Sequence, residues 1–122
     1  MNFGDRVLLV DDEPQLLAAL RRIVERRRPE ARVVYASDVS TAEWQLRSTG
    51  VRLVVTDMRM QADPRAGMRV VAAAEQAGVP VAVLTGAAID VLDELRGRQI
   101  LVLEKAHLTP AVIADLVDRA FA

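Results

Sequence analysis

Five short apolar runs, each followed by a stretch with helical spacing, restrict this chain to very few folds. The runs occupy residues 7–10, 33–35, 53–55, 81–84 and 100–103. Four are continuous rather than alternating, as expected of strands covered on both faces. The second starts from charged Arg32 and ends in Tyr35-Ala36-Ser37, a composition suited to a sheet edge. Leu16, Leu17, Leu20, Ile23 and Val24 form a helical stripe, opened by Pro14 and stopped before Pro29. Val39, Ala42 and Leu46 form a second, ending near Gly50, and Val70, Val71, Ala74 and Ala77 a third, with Gly78 at its C-terminus. Ala88, Ile89, Leu92 and Leu95 form a fourth, ending near Gly97. Val112, Ile113, Leu116, Val117, Ala120 and Phe121 form the last, behind Thr109 as N-cap and Pro110. Strict alternation of strand and helix predicts an α/β domain of (βα)5 type. Its sheet is parallel, five-stranded and doubly wound, with right-handed crossovers. The 122 residues suit a single domain spanning 1–122.

Composition removes several function classes. With 16 basic and 17 acidic residues, the formal charge of -1 supplies no field to draw the chain onto nucleic acid or an anionic membrane. The absence of Cys removes disulfides and thiolate chemistry. Only 3% of residues are aromatic, so the core must come from Ala, Val, Leu and Ile. The first apolar run meets Asp11-Asp12-Glu13 at once, unlike a signal peptide. The least polar stretch, 78–89, holds 12 residues including Pro80, too few to span a bilayer. A cytoplasmic location is expected.

In open parallel sheets, sites form beyond the carboxyl ends of the strands. The residues at the ends of the apolar runs are Asp11 and Asp12, Thr56 and Asp57, Thr85 and Gly86, and Glu104 and Lys105. Of the 16 basic residues 15 are Arg, and Lys105 is the only Lys, consistent with a need for a compact point charge there. Several carboxylates in one cleft repel each other, and one ammonium leaves the cluster negative. A hard divalent cation with oxygen ligands completes such a site, and Mg²⁺ suits a few carboxylates plus retained waters. A cation beside an Asp, with a Lys and a Thr hydroxyl alongside, forms a phosphoryl-transfer site.

These residues carry a family resemblance. The stretches VLLVDDEP (7–14), LVVTDMRM (53–60), GMRVV (67–71), VPVAVLTGAA (79–88) and LVLEK (101–105) resemble the response-regulator receiver domains of two-component signalling. The spacings of 45 residues from Asp12 to Asp57, 28 on to Thr85 and 20 on to Lys105 also fit that pattern. The resemblance implies a flavodoxin-like strand order 2-1-3-4-5. It implies that Asp57 accepts a phosphoryl group from a histidine kinase or phosphotransfer protein. It assigns Mg²⁺ to Asp12 directly, to Asp11 mainly through water, to Asp57 and to the backbone carbonyl of Arg59. Thr85 and Lys105 would contact phosphoryl oxygens, with Gly86 leaving room for the group. The implied output is a protein partner or attached domain, or a homodimer through the face of the fourth and fifth helices. Direct contact with nucleic acid or membrane is not expected. The implied role is a switch rather than an enzyme, apart from self-phosphorylation and self-dephosphorylation.

Three positions depart from the family pattern. Val102 replaces the usual aromatic three residues before the Lys. Ala106 replaces the Pro that usually follows the Lys, often through a cis bond that costs a non-proline residue about 2.5–4 kcal/mol. Met60-Gln61 replaces Met-Pro, and the loop to Gly67 is about two residues longer than usual. These departures motivate a rival reading, a pseudo-receiver that binds protein without phosphorylation. An aspartate-nucleophile phosphatase is a further rival, weakened because Arg59 stands where a second acid would be; a nucleotide-binding fold lacks its Gly-rich loop. Blander readings compete locally: Asp11-Asp12 as helix caps, Asp63 and His107 as loop residues, Arg21-Arg22 and Arg26-Arg27-Arg28 as a solvated helix face, and Trp44 as an exposed residue off its apolar stripe.

Overall fold

A computed structural model describes residues 4–48, 50–86, 95, 98 and 100–122. The strands are β1 (Arg6–Val10), β2 (Arg32–Ala36), β3 (Val51–Asp57), β4 (Val81–Thr85) and β5 (Leu101–Glu104). The described helices are α1 (Pro14–Arg27), α2 (Val39–Arg47), α3 (Ala66–Ala77) and α4 (Pro110–Phe121), with a 3₁₀ turn at Lys105–His107. The strands form one sheet in the order β2-β1-β3-β4-β5. All four pairings are parallel. Both expectations, (βα)5 layering and strand order, hold. Of the fourth helical stripe, Ala88, Ile89, Leu92 and Gly97 lie outside the described residues; Leu95 is helical and buried.

Alternate strand residues feed two apolar layers, because side chains on a strand point to opposite faces. Val7, Leu9, Leu53, Val55, Ala82 and Leu84 pack with Leu17, Leu20 and Val24 of α1 and Ile113, Leu116 and Val117 of α4. Leu8, Val10, Val54, Val81 and Val83 pack with Ala42 and Leu46 of α2 and Val70, Val71 and Ala74 of α3. The three inner strands are therefore buried on both sides, which explains their uninterrupted apolar runs. β2 is an edge, as its composition suggested. β5 is the other edge: its run reads as continuous, yet Leu101 and Glu104 are exposed and Ile100 precedes the strand.

Local signals place most helix ends. Thr109 caps α4 by accepting from the Val112 N–H at 3.2 Å, and Gly78 closes α3 in the left-handed region at φ 70°. Asp38 caps α2 through the Thr41 N–H at 2.7 Å, while α2 ends at Arg47, short of Gly50. In and just after α1, Arg21 pairs with Glu25 at 2.5 Å, and Arg27 and the C-cap residue Arg28 both pair with Asp118 of α4. That stretch is an exposed face matched in part by acids. Trp44 is 63% exposed. No helix among the described residues is long and apolar enough to cross a membrane.

Gly67, on the first turn of α3, is where this scaffold meets the loop after Asp57. Its N–H bonds the Met58 carbonyl at 2.8 Å. An added Cβ would sit 2.5 Å from the Asp57 carbonyl oxygen and 2.7 Å from the Met58 Cα. Both obstacles are backbone and cannot rotate away. Gly67→Ala should therefore destabilise the fold by about 1–3 kcal/mol, measured as a lower urea midpoint with an unchanged slope.

An acidic cluster facing a single lysine

The parallel register delivers the strand-end residues to one edge. Val10 pairs with Ala36 on one side and Thr56 on the other, Asp57 pairs with Leu84, and Thr85 with Glu104. Asp11 follows directly, its N–H bonded to the Ala36 carbonyl at 3.0 Å. Asp11, Asp12 and Asp57 each bring one carboxylate oxygen into a group whose members lie within 4.8 Å of one another. Asp11 and Asp57 are buried and Asp12 is exposed. The Lys105 Nζ reaches Asp57 Oδ2 at 3.1 Å and Asp11 Oδ2 at 3.8 Å. The Lys105–Ala106 bond is not cis, and no cis peptide occurs among the described residues. The side chain reaches the acids all the same.

The electrostatics are those of too many anions in too little water. Burial first, and then the neighbouring Asp57 charge, push Asp11 up to about 6, against the opposing pull of the Glu13 N–H and Lys105. Burial also raises Asp57, with the Lys105 hydrogen bond working against it. Burial works to lower Lys105, but the Asp57 hydrogen bond and the charges of Asp11 and Asp57 outweigh it, so the ammonium is held above its usual value. Asp11 Oδ1 accepts from the Glu13 N–H at 2.9 Å, a tie just ahead of α1. The cap position itself is Glu13, whose side chain makes no capping bond. Asp11 Oδ2 is the buried side-chain polar atom, among the described residues, without a hydrogen-bond partner.

The residues present fit a hard cation. Opposed ligands of Mg²⁺ stand about 4.2 Å apart, given bonds of about 2.1 Å. Three carboxylate oxygens within 4.8 Å need only a small closure, or one interposed water, to share an ion. A buried oxygen without a hydrogen bond, beside two further carboxylates, is a donor set of that kind.

The remaining strand-end residues divide. Thr85 is buried at the end of β4, and Gly86 beyond it is exposed, with open space around a would-be Cβ. Thr56 is fully buried, and its hydroxyl donates to the Asp57 carbonyl at 2.9 Å, supporting the backbone that carries Asp57. Glu104 takes no part in the cluster and pairs instead with exposed His107 at 3.3 Å. Arg59 is exposed between buried Met58 and Met60, whose side chains anchor the loop in the core.

The loop after Asp57 is more ordered than its sequence suggests. Met60 and Asp63 exchange backbone hydrogen bonds at 3.1 and 2.9 Å across a two-residue turn. Gln61 and Ala62 form that turn at φ 51° and 63°. Neither is a residue that favours the left-handed region, so each position costs on the order of 1 kcal/mol or more. Asp63 is no passive loop residue: it accepts from the Arg65 N–H at 2.9 Å and pairs with Arg69. The Gln61 N–H donates to Asp12 Oδ2 at 2.9 Å. Pattern reading missed Asp63 and Gln61; an Asx turn before Pro64 was the available signal for the first, and nothing local signalled the second.

Raised Asp11 predicts a specific pH dependence in metal-free protein. A carboxyl whose folded value lies above its unfolded one favours folding below about pH 4, and that contribution is lost as pH rises through about 6. Asp11→Asn keeps an oxygen for the Glu13 N–H and removes the charge. Relative to it, wild type should lose about 2–3 kcal/mol between pH 4 and pH 7, read by urea unfolding in chelator; parallel pH profiles would refute the assignment.

The comparisons with known proteins agree with this geometry. The sequence profile described as "Response regulator receiver domain" matches residues 7–105. No significant match occurs among curated proteins. Among solved structures, a response regulator receiver protein from Sinorhizobium medicae WSM419 superposes with a TM-score of 0.82 at 24% identity, covering 97% of this chain and 94% of its own. The beryllofluoride-activated NtrC4 receiver domain dimer gives 0.80 at 23% identity, covering 96% of each chain. The RcsB–DNA complex gives 0.77 at 19% identity, covering 95% of this chain and 59% of that one. At these identities the structures speak to the fold, and the profile speaks to the family. The acidic edge, the single lysine and the matched profile make this chain a member of the response regulator receiver domain family, the signalling domains of two-component systems.

Proposed function

We infer that this receiver domain is a phosphorylation-dependent switch, with Asp57 as phosphoacceptor and Mg²⁺ held among Asp11, Asp12, Asp57 and the Arg59 carbonyl. The observation that carries the reading is the buried Asp57 carboxylate, 3.1 Å from the protein's only lysine and grouped with two further acids. A carboxylate oxygen of Asp57 attacks the phosphorus of a phosphohistidine; an O–P bond forms, the P–N bond breaks, and the imidazole leaves with a proton. When bound, Mg²⁺ neutralises charge on the transferring group. Lys105 supplies a fixed positive charge beside the acceptor, and buried Thr85 a hydroxyl at the neighbouring strand end. Open space at Gly86 accommodates the group.

Phosphorylation adds about two negative charges where three acids already crowd one ammonium. Lys105 and Thr85 must then divide their contacts differently, which biases β5, the turn at Lys105–His107 and the start of α4. Half-buried Val102 on β5 stands where the family's aromatic would report that shift, so the response must travel by another side chain. The output is a protein partner, an attached domain or a second copy of this chain. The start of α1, which follows Asp11 and Asp12 directly, forms the adjoining surface for a kinase or phosphotransfer protein.

Incubation with Mg²⁺ and acetyl phosphate, followed by intact mass measurement, should show the gain of one phosphoryl group, abolished in Asp57→Ala. A wild-type chain that gains no mass and does not bind beryllofluoride is a pseudo-receiver. Asp12→Ala should weaken Mg²⁺ at least tenfold, since unit charges about 4 Å apart interact by about 4 kcal/mol at an effective dielectric of 20; calorimetric titration reads the change.

A further inference from the structure

Asp12 differs from its two companions in being exposed. An exposed carboxylate samples several rotamers, and ordering it on cation binding costs conformational entropy. Here the cost is met beforehand, because Asp12 Oδ2 already accepts the Gln61 N–H at 2.9 Å. The donor lies 49 residues away along the chain. It is brought there by a turn that Gln61 and Ala62 enter only at positive φ, 51° and 63°. The turn is braced from outside itself: Met60 and Asp63 close it with two backbone hydrogen bonds, and Met60 is buried. Asp63 also holds the Arg65 N–H and Arg69. A backbone conformation unfavourable for both residues, sustained by its surroundings, and aimed at a carboxylate of the acidic cluster, is a feature to be explained.

We propose that the Gln61-Ala62 turn is a positioning element for cation binding, its Gln61 main-chain N–H holding the Asp12 carboxylate in the orientation the ion requires. The role belongs to the backbone, since the Gln61 side chain is exposed and the hydrogen bond is made by its amide. Groups that orient metal ligands are typically worth 10- to 100-fold in affinity. The inference rests on the Mg²⁺ reading above and deepens it, assigning part of the site's affinity to the lengthened loop.

Two measurements test it separately from that reading. In metal-free protein, hydrogen exchange of the Gln61 amide should be slow in wild type and fast in Asp12→Ala, with the Asp63 amide protected in both. Equal Gln61 exchange would overturn the inference whatever the metal does. An ester at residue 61 also weakens the Met60 carbonyl that accepts the Asp63 N–H. A control chain with the α-hydroxy analogue of aspartate at residue 63 loses that same bond but keeps the Gln61 N–H, and should bind Mg²⁺ like wild type. The test chain carries the α-hydroxy analogue of glutamine at residue 61, which removes the Gln61 N–H. This ester chain should bind Mg²⁺ about tenfold more weakly, whereas Gln61→Ala, which keeps the N–H, should match wild type. A residue-61 ester that binds like wild type, or like the control chain, overturns the positioning role and leaves the metal reading standing. A wild-type chain that takes up no Mg²⁺ overturns both, a distinct outcome.

Discussion

Three carboxylates held against one ammonium at the carboxyl edge of a parallel sheet set the terms for this protein. Asp11 and Asp57 are nearly inaccessible to water, and a buried charge is tolerated only when paired or neutralised. Lys105 cannot satisfy both: it hydrogen-bonds Asp57 at 3.1 Å and stands 3.8 Å from Asp11 Oδ2, which is left without a hydrogen bond. Burial and the Asp57 charge raise Asp11 to about 6, so it gives up its proton later than an ordinary carboxyl as pH rises. A site unsatisfied when empty gains more from a cation, and from redistribution of the ammonium, than a solvated one.

The scaffold makes that arrangement rigid. Asp57 ends a strand buried along nearly its whole length, its backbone accepting from the Thr56 hydroxyl and its following residues pinned by Met58, Met60 and Gly67. Close approach of α3 to the Asp57 carbonyl leaves no room for a Cβ at Gly67. The site therefore cannot relax by moving the acceptor outward. On the other side of the acceptor, β5 is an edge strand with Leu101 and Glu104 exposed, and Lys105 opens a 3₁₀ turn.

The opposite end of the molecule is locked. Phe121 lies under the guanidinium groups of Arg28 and Arg52 at 5.6 and 5.1 Å, and Arg52 also donates to the Ala120 carbonyl at 2.9 Å. With Arg27 and Arg28 on Asp118, these contacts fasten the C-terminal end of α4 to α1 and β3.

Much of this was legible in the residues alone. Continuous apolar runs declared strands buried on both faces, and their terminal residues named Asp11, Asp12, Asp57, Thr85 and Lys105, because strand ends in a parallel sheet must meet at one edge. Thr109 and Gly78 announced their caps, since capping depends on a few neighbouring residues. The strand order implied by the resemblance already put β5 at an edge, but its continuous apolar run did not. Tertiary structure decided that Leu101 and Glu104 are exposed, because burial depends on what lies alongside and not on the run itself. It decided that Glu104 turns to His107, that one Asp11 oxygen is buried without a hydrogen bond, and that Gln61 reaches Asp12 across 49 residues. Local patterns encode which elements form; the distances between charges that give the site its chemistry exist only once those elements have packed.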